Sequence, residues 1–284
     1  MRSIRIMPLK KFAISVLAAL TLCLCGCSIS GTEKAPEAAG EFKFSVLKIG
    51  QADAIIMQTE NHCVIIDCGE KDDGKEVKKY LADNGIENVD YLFITHFDKD
   101  HVGGAAKVIN SVNIGEVVTP DYEGTNDEYQ SYLDALEEHS LTPVLLDENM
   151  TFTLDDVLFE VYPPQEKSYA EDDNDFSLVI SVTHGENRFL FTGDAEKTRL
   201  KEIMRQVKGE YDFLKVPHHG RYNKYSSVFF KAVTPAYSVI TDSEKNPAES
   251  ETAAALESTG SSVYYTRNGT VHVQSDGKQI TVTQ

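Results

Sequence analysis

From residue 42 onward, short apolar runs with the period of a β-strand alternate with stretches that have the period of an amphipathic helix. Val77, Tyr80 and Leu81 form the apolar stripe of the first helix, and Gly85 is its expected end. In the first half, the pattern predicts strands over 44–49, 54–58, 63–66, 91–94 and 117–118, and helices over 74–84, 103–112 and 126–139.

The second half of the chain has the same alternation of predicted strands and helices. The pattern predicts strands over 158–162, 176–183, 188–191, 213–216, 238–240, 263–265, 271–274 and 280–282, and helices over 195–207, 226–233 and 252–258. A turn over 184–187 would join two of these strands as a hairpin. Strands gather at the start of each half and then alternate with helices. This order predicts an α/β fold, a four-layer αββα sandwich in which two β-sheets pack face to face with helices outside. Because no linker or fixed-period repeat follows residue 42, we expect one domain over 42–284.

The N-terminus has the pattern of an export signal. Four basic residues precede an apolar run over 12–25, which is too short for a comfortable membrane span. The run ends in Leu24-Cys25-Gly26-Cys27, which resembles a bacterial lipobox. We therefore predict a lipoprotein signal peptide over 1–27, lipidation of Cys27, a flexible tether over 28–41, and anchoring to the outer face of the cell membrane. A plain secretory peptide and an uncleaved anchor are the alternatives.

The formal net charge of −18 argues against a broad nucleic-acid-binding surface, because contacts to phosphates dominate that affinity. It does not exclude a local basic patch. Cys63 and Cys68 are the cysteines outside the predicted signal peptide. An extended chain would separate them by about 16 Å, which is too far for a disulfide, so we expect two buried, inert thiols.

The strongest chemical signal is His96-Phe97-Asp98-Lys99-Asp100-His101, which is followed by Val102-Gly103-Gly104. Four side chains that can bind a metal occur within six residues, directly after an apolar strand. A loop at the end of a strand can direct alternate side chains to one point. Imidazole together with carboxylate suits Zn²⁺, Mn²⁺ or Fe²⁺. The segment therefore predicts a metal site, and a solvated polar loop is the weaker alternative.

Two further strands end in candidate ligands. Thr192-Gly193-Asp194 places a carboxylate after one strand, although a single aspartate there is more often an ordinary turn residue. Another strand leads into His218-His219-Gly220. Four of the eight histidines thus lie in two loops, and the other four are expected at the surface or in turns: His62, His139, His184 and His272.

Taken together, these motifs resemble the metallo-β-lactamase superfamily, and within it the hydrolase domain of ComEC-type DNA-uptake (competence) proteins. The resemblance extends from about residue 44 to 265. It is carried by the segments 49–54, 65–69, 96–104, 174–177, 192–194 and 214–220. The resemblance implies the αββα sandwich, with two divalent metal ions, Zn²⁺ or Mn²⁺, at one edge of the sheets.

The resemblance also implies a role for each candidate residue. His96 and Asp98 would bind one metal, and Asp100 and His101 the other. Asp194 would bridge the two metals, and His219 or His218 would complete the set. Asp100 would also act in catalysis, and Asp67 would support the ligand loop without touching the metal.

Several positions depart from the family pattern. Most members have histidine where Asp98 stands, although ComEC-like members share the aspartate, which makes Mn²⁺ a candidate beside Zn²⁺. Many members also have a histidine before the bridging aspartate. Here the hairpin instead places Asn174 and Asp175 near Asp194, so the first metal has fewer ligands or Asp175 assists. Three further departures are Ala52 in place of glycine, Arg221 in place of a small residue, and Asn246-Pro247-Ala248 in place of a late Gly-His-Pro.

These features support three hypotheses about function. The first is a metal-dependent phosphodiesterase or nuclease that uses a metal-activated water. Lys215, Arg221 and Lys224 would then bind phosphate, and nearby tyrosines would stack on bases. The second is a hydrolase of small esters, lactones or phosphoesters. The third is a non-catalytic, lipid-anchored binding module, which the missing late histidine favours slightly.

Overall fold

The computed structural model describes residues 40–169 and 173–284. The predicted signal peptide, Cys27 and the tether up to residue 39 lie outside the described residues. Within the described part, no helix is both long and apolar enough to cross a membrane.

The described strands form two sheets. Their bounds are β1 (Phe42–Val46), β2 (Ile55–Gln58), β3 (Cys63–Ile66), β4 (Asn88–Phe93), β5 (Asn113–Pro120), β6 (Val144–Leu146), β7 (Met150–Leu154), β8 (Val157–Tyr162), β9 (Val179–His184), β10 (Asn187–Phe191), β11 (Phe213–Lys215), β12 (Tyr237–Ile240), β13 (Ser262–Tyr265), β14 (Val271–Ser275) and β15 (Ile280–Thr283). The helices are α1 (Gly74–Asp83), α2 (Lys99–Val102), α3 (Ala105–Ile109), α4 (Asp127–Glu138), α5 (Lys197–Gln206), α6 (Ser226–Val233) and α7 (Ser250–Glu257).

Both sheets are mixed. The first has the strand order β15-β14-β1-β2-β3-β4-β5-β6, and the second has the order β13-β12-β11-β10-β9-β8-β7. In the first sheet β3, β4, β5 and β6 run parallel to one another. In the second sheet β10, β11, β12 and β13 do the same. The carboxyl ends of these two parallel sets carry the loops that contain the candidate ligands.

Three apolar clusters establish the layers. The central cluster packs the two sheets against each other, and its aromatic rings cross the interface. The ring of Phe44 in β1 lies 4.8 Å from that of Phe213 and 5.4 Å from that of Phe189. A second cluster joins the first sheet to α1, α3 and α4, and a third joins the second sheet to α5, α6 and α7. This arrangement confirms the predicted four-layer αββα sandwich.

The structure differs from the predicted elements at a few places. The helix expected over 103–112 is the shorter α3 (Ala105–Ile109), and a separate short helix that the pattern did not predict, α2 (Lys99–Val102), precedes Gly103 and Gly104. The strand expected from residue 176 begins at Val179, since 173–176 form a 3₁₀ turn. The pattern analysis missed β6 and β7, two short strands at the edges of the two sheets. β6 has only three residues, of which one is buried, whereas β7 alternates between apolar and polar residues and could have been recognised.

The cysteine prediction is confirmed, and one histidine prediction is wrong. Cys63 and Cys68 are free and buried. Burial raises the pKa of both thiols, that of Cys63 to about 12, so they stay protonated. His184 was expected at the surface or in a turn, but it is the last residue of β9 and is completely buried. Its Nδ1 is hydrogen-bonded to Ser275 Oγ of the other sheet.

Candidate metal centre

The candidate ligands come from loops at one edge of both sheets. Asp67 directly follows β3, and His96 lies three residues after β4. In the second sheet, Asp194 follows β10 and His219 follows β11. Because the carboxyl ends of parallel strands meet at the same edge, four loops distant in sequence deliver polar side chains to one place.

Asp67 holds the loop that contains the His96–His101 motif. Its Oδ1 accepts a hydrogen bond from Thr95 N at 2.8 Å, and its Oδ2 accepts one from Thr95 Oγ1 at 2.7 Å. The same Oδ2 lies 2.8 Å from His101 Nδ1. Asp67 has a φ of 59°, a left-handed conformation that the surrounding contacts must maintain. Asp67 therefore contacts both the residue that precedes the motif and the histidine that ends it.

Four candidate ligands form a compact group, in which one atom from each of Asp100, His101, Asp194 and His219 lies within 4.8 Å of the others. Asp194 is central. Its Oδ1 lies 3.3 Å from His101 Nε2, and its Oδ2 lies 3.0 Å from His219 Nε2. His219 Nε2 also lies 3.2 Å from Asp100 Oδ2. This geometry suits the bridging position expected for Asp194.

The other predicted pair lies beside this group. His96 Nε2 is 3.6 Å from Asp98 Oδ2, and the ring of His96 lies 4.1 Å from that of His101. His96 is completely buried, whereas the Asp98 side chain is 39% exposed. The site therefore opens to solvent on the side of Asp98 and Asp100.

The three imidazoles have the chemistry of metal ligands. His101 Nδ1 and His219 Nδ1 donate to Asp67 and to the carbonyl oxygen of Thr241, respectively. His96 Nδ1 lies 3.1 Å from Thr95 Oγ1, whose own proton goes to Asp67. With the proton on Nδ1, each Nε2 presents a lone pair. All three Nε2 atoms are buried without a hydrogen-bond partner, which a divalent cation would provide.

The pKa shifts of the buried site residues also favour a bound cation. Burial alone would raise the pKa of Asp194, but His219, His101 and Lys215 hold that pKa well below its usual range. Burial alone would lower the pKa of His219, but the carboxylates of Asp194 and Asp100 raise it to about 9. The carboxylates thus remain ionised and attract positive charge. A divalent cation meets this requirement without protonating the imidazoles.

The structure distinguishes His219 from His218. Both residues, together with Gly220, have left-handed backbone conformations, with φ values of 49° for His218 and 50° for His219. This turn sends the two side chains in different directions. His219 joins the buried ligand group, whereas His218 Nδ1 lies 2.9 Å from Glu196 Oε1 at the rim. His219 is therefore the better candidate ligand.

The predicted substrate-binding lysine lies in a different environment from the one expected. Lys215 is completely buried, and its ammonium group contacts Asp53 and Asp194 instead of facing a substrate. Arg221 and Lys224 are exposed, as expected for substrate contacts. Arg221 lies 3.7 Å from Glu249, and Lys224 lies over the ring of Tyr225.

Asn174 and Asp175 both contact Glu196, two residues after Asp194, in the part of the chain where the hairpin was expected to place them. Asp175 Oδ1 accepts hydrogen bonds from the backbone N–H groups of Glu196 and Arg199, so it caps the start of α5. Its position favours a structural role over assistance to the metal. Asn174 Nδ2 lies 3.4 Å from Glu196 Oε1, beside His218.

Sequence reasoning missed Asp53 and Thr241. Asp53 lies in the turn before β2, inside the family-like segment 49–54, and is completely buried beside His101 and His219. Membership of that segment was the signal that could have identified it. Thr241 directly follows β12, and Asp194 lies three residues after β10. An aspartate in such a place can be recognised as a candidate metal ligand, but a single threonine cannot.

Comparison with known proteins agrees with this geometry. Residues 47–240 match the family model described as "Metallo-beta-lactamase superfamily". Since the match covers more than half of the chain, the protein belongs to the metallo-β-lactamase superfamily. A solved structure, the metallo-beta-lactamase fold protein YhfI from Bacillus subtilis, aligns with a TM-score of 0.56 over 86% of this chain and 100% of that chain, at 9% identity. At this identity the likeness shows the fold alone.

Two curated relatives are named for recombination and for competence. The chain is 26% identical over 211 residues to Recombination protein 2 of Haemophilus influenzae, covering 72% of this chain and 25% of the relative. It is 27% identical over 225 residues to Competence protein ComA of Neisseria gonorrhoeae, covering 78% of this chain and 30% of the relative. The chain therefore spans less than a third of the length of these relatives.

Proposed function

We propose that this protein is a metal-dependent phosphodiesterase that cleaves nucleic acid. The observation that carries the proposal is the convergence of three unpartnered imidazole Nε2 atoms on the carboxylates at one edge of the sandwich. His96 and Asp98 would hold one divalent cation, Asp100, His101 and His219 the other, and Asp194 would bridge them. Bound divalent cations supply a nucleophile at neutral pH and stabilise negative charge on the group being transferred.

The protein's own residues shape how a substrate approaches. His96, His101 and Asp194 are closed off from solvent, whereas the side chains of Asp98 and Asp100 are 39% and 22% exposed. A phosphodiester would therefore reach the site along these two carboxylates. Their negative charge would repel it until cations are bound, so binding of substrate would depend on occupation of the metal centre.

A basic patch near the His218–Gly220 loop supports a nucleic-acid substrate. The ammonium groups of Lys201 and Lys224 lie 4.9 and 5.2 Å from the centroid of the Tyr225 ring. Tyr222, close by in sequence, has 37% of its surface exposed. Lys224 and Tyr222 are exposed, and Lys201 and Tyr225 are half-buried. Lysines and tyrosines together suit a single strand, because cations contact phosphates and rings stack on bases. The names of the two relatives agree with such a substrate.

Two observations favour a small phosphoester as the second candidate substrate. The net charge of −18 opposes a long polyanion, and Glu249 lies beside Arg221 at the rim. The same metal centre would hydrolyse a substrate with a single phosphate.

The test combines metal content with activity. We expect the purified chain to bind two equivalents of Mn²⁺ or Zn²⁺ and to cleave bis-p-nitrophenyl phosphate and labelled single-stranded DNA. His219→Ala should reduce the bound metal to one equivalent or less, because a buried ligand is lost. His218→Ala, the matched control, should retain two equivalents, since its ring contacts Glu196. Elemental analysis after gel filtration measures the metal.

The other results of this test would each support a different function or none. Cleavage of the small diester without cleavage of DNA would select the small-substrate hydrolase. Two bound equivalents without hydrolysis of any phosphoester would leave a metal-containing binding module. Absence of bound metal in the wild type would disprove the proposed function.

We also propose that Cys27 is lipidated and holds the protein on the outer face of the cell membrane. The N-terminal sequence pattern supports this. Labelled palmitate should be incorporated into the wild type but not into Cys27→Ala, and protease added to intact cells should degrade the wild type. Incorporation of label into both forms, or protection from the protease, would contradict the proposal.

A further inference from the structure

A buried ion pair joins the two sheets beneath the candidate metal centre. Lys215 ends β11 in the second sheet, and Asp53 lies in the turn before β2 in the first. The ammonium group of Lys215 contacts Asp53 Oδ2, and both side chains are only 1% exposed. Lys215 Nζ also donates to Gly193 O at 3.1 Å and lies 3.4 Å from Asp194 Oδ1. Lys215 thus contacts Asp194 at Oδ1, the oxygen that also faces His101 Nε2.

The other half of the pair holds a second ligand. Asp53 Oδ1 accepts a hydrogen bond from Thr241 Oγ1 at 2.7 Å. His219 Nδ1 lies 2.9 Å from the same Thr241 Oγ1 and 3.0 Å from the backbone oxygen of Thr241. A continuous chain of contacts therefore runs from Asp194 through Lys215, Asp53 and Thr241 to His219. Its two ends meet where His219 Nε2 lies 3.0 Å from Asp194 Oδ2.

The charges of the site agree with a supporting role for the Lys215–Asp53 pair and a metal-binding role for the other carboxylates. The pair itself is neutral, because the ammonium group compensates the Asp53 carboxylate. Four carboxylates remain, which belong to Asp67, Asp98, Asp100 and Asp194. Two divalent cations would balance their four negative charges. A buried net charge is costly, so a neutral supporting pair lets the two cations neutralise the rest of the site.

We propose that Lys215 and Asp53 are positioning residues, which fix Asp194 and His219 in the orientation that binds the cation. This inference rests on the proposed metal-dependent function, because it concerns the same site. It assigns no contact with substrate to either residue. Lys215 and Asp53 act through the two ligands that they orient.

The test removes the pair without changing the net charge. Asp53→Asn combined with Lys215→Met keeps side chains of similar size, and the asparagine can still accept a hydrogen bond from Thr241. Loss of a group that orients a ligand typically lowers metal affinity about 10–100-fold. We expect a decrease in this range for Mn²⁺ alone and for Zn²⁺ alone, measured by isothermal titration calorimetry, while circular dichroism shows a folded domain.

A second buried pair provides the control. Arg199 and Glu202 in α5 are joined at 2.8 Å, and their side chains are 0% and 5% exposed. The Arg199 side chain donates to the backbone oxygens of Ser177 and Tyr162 and, among the described contacts, neither side chain touches Asp194 or His219. Arg199→Met combined with Glu202→Gln should alter the melting temperature and leave the cation affinity unchanged. Equal losses of affinity in both double variants would show that the loss of any buried pair loosens the site, which would overturn the proposal.

A single substitution tests the series of contacts between Asp53 and His219 without removing a charged group. Thr241→Val deletes only the hydroxyl group between Asp53 and His219, so we expect a smaller loss, of about tenfold or less. If the Asp53/Lys215 double variant does not fold, this variant decides alone, and wild-type affinity overturns the proposal. A wild type that binds no cation would disprove the proposed function itself. A wild type that binds two cations, with a double variant of equal affinity, would disprove only the positioning role.

Discussion

Asp194→Asn is expected to abolish tight binding of at least one cation and to slow hydrolysis of bis-p-nitrophenyl phosphate by about a thousandfold. The carboxylate lies between His101 Nε2 and His219 Nε2, at 3.3 and 3.0 Å. An asparagine at this place keeps the shape but removes the negative charge and one oxygen. Metal ions contribute several kcal/mol to the stabilisation of a transition state, and each ~1.4 kcal/mol changes the rate tenfold.

The measurement compares kcat/KM and metal content of this variant with those of Asp155→Asn. Asp155 is an exposed carboxylate that accepts hydrogen bonds from Thr59 and Asn61, at the opposite end of β2 from the turn that contains Asp53. The control should bind two equivalents and retain wild-type activity. Retention of two equivalents and full activity by Asp194→Asn would show that the cluster is not the metal centre.

Much of the candidate site could be predicted because its residues follow strands directly in sequence. His96 to His101, Asp194 and His219 each lie within a few residues of an apolar run. Alternation along such a run indicates a strand, and the end of a strand indicates where its loop lies. Sequence alone left the choice between His218 and His219 open, because it depends on left-handed backbone conformations that periodicity does not reveal.

The role of Lys215 depended on tertiary structure. Lysine in a short strand usually extends to solvent. Here Lys215 lies on the same face of β11 as Phe213, which packs into the interface between the sheets. Its burial is tolerated because Asp53, from the other sheet, meets its ammonium group there. No local pattern links the two positions, since they come together only when the sheets pack.

The glycines after the His96–His101 motif show the same dependence on packing. Gly104→Ala is expected to lower the free energy of unfolding by about 3 kcal/mol or more, at the upper end of the usual cost of overpacking. A Cβ at this position would lie 2.1 Å from Cys68 O and 2.9 Å from Gly74 Cα, which are both backbone atoms. Gly104 N also donates to Gly69 O at 2.9 Å. The substitution would therefore force the ligand loop away from the segment that follows Asp67.

Thermal unfolding measures this effect. For a domain of this size, a loss of about 3 kcal/mol corresponds to a decrease in melting temperature of roughly 6–12 °C. Gly269→Ala is the control, since its Cβ would meet the flexible side chain of Gln284 at 3.2 Å and the backbone carbon of the same residue at 3.9 Å, an ordinary van der Waals distance. It should melt within about 2 °C of the wild type, because surface substitutions usually change stability by no more than ~0.5 kcal/mol. Equal melting temperatures for the two variants would contradict the packing argument.

Added metal separates the two consequences of Gly104→Ala. A ligand that binds only the folded state raises the melting temperature, so Mn²⁺ should stabilise the wild type and Gly269→Ala equally. In Gly104→Ala the displaced loop would separate His101 from Asp67, whose Oδ2 lies 2.8 Å from His101 Nδ1. The increase caused by Mn²⁺ should therefore be smaller in this variant. An undiminished increase would mean that the glycine serves the stability of the fold alone, because the ligand geometry would have survived the displacement.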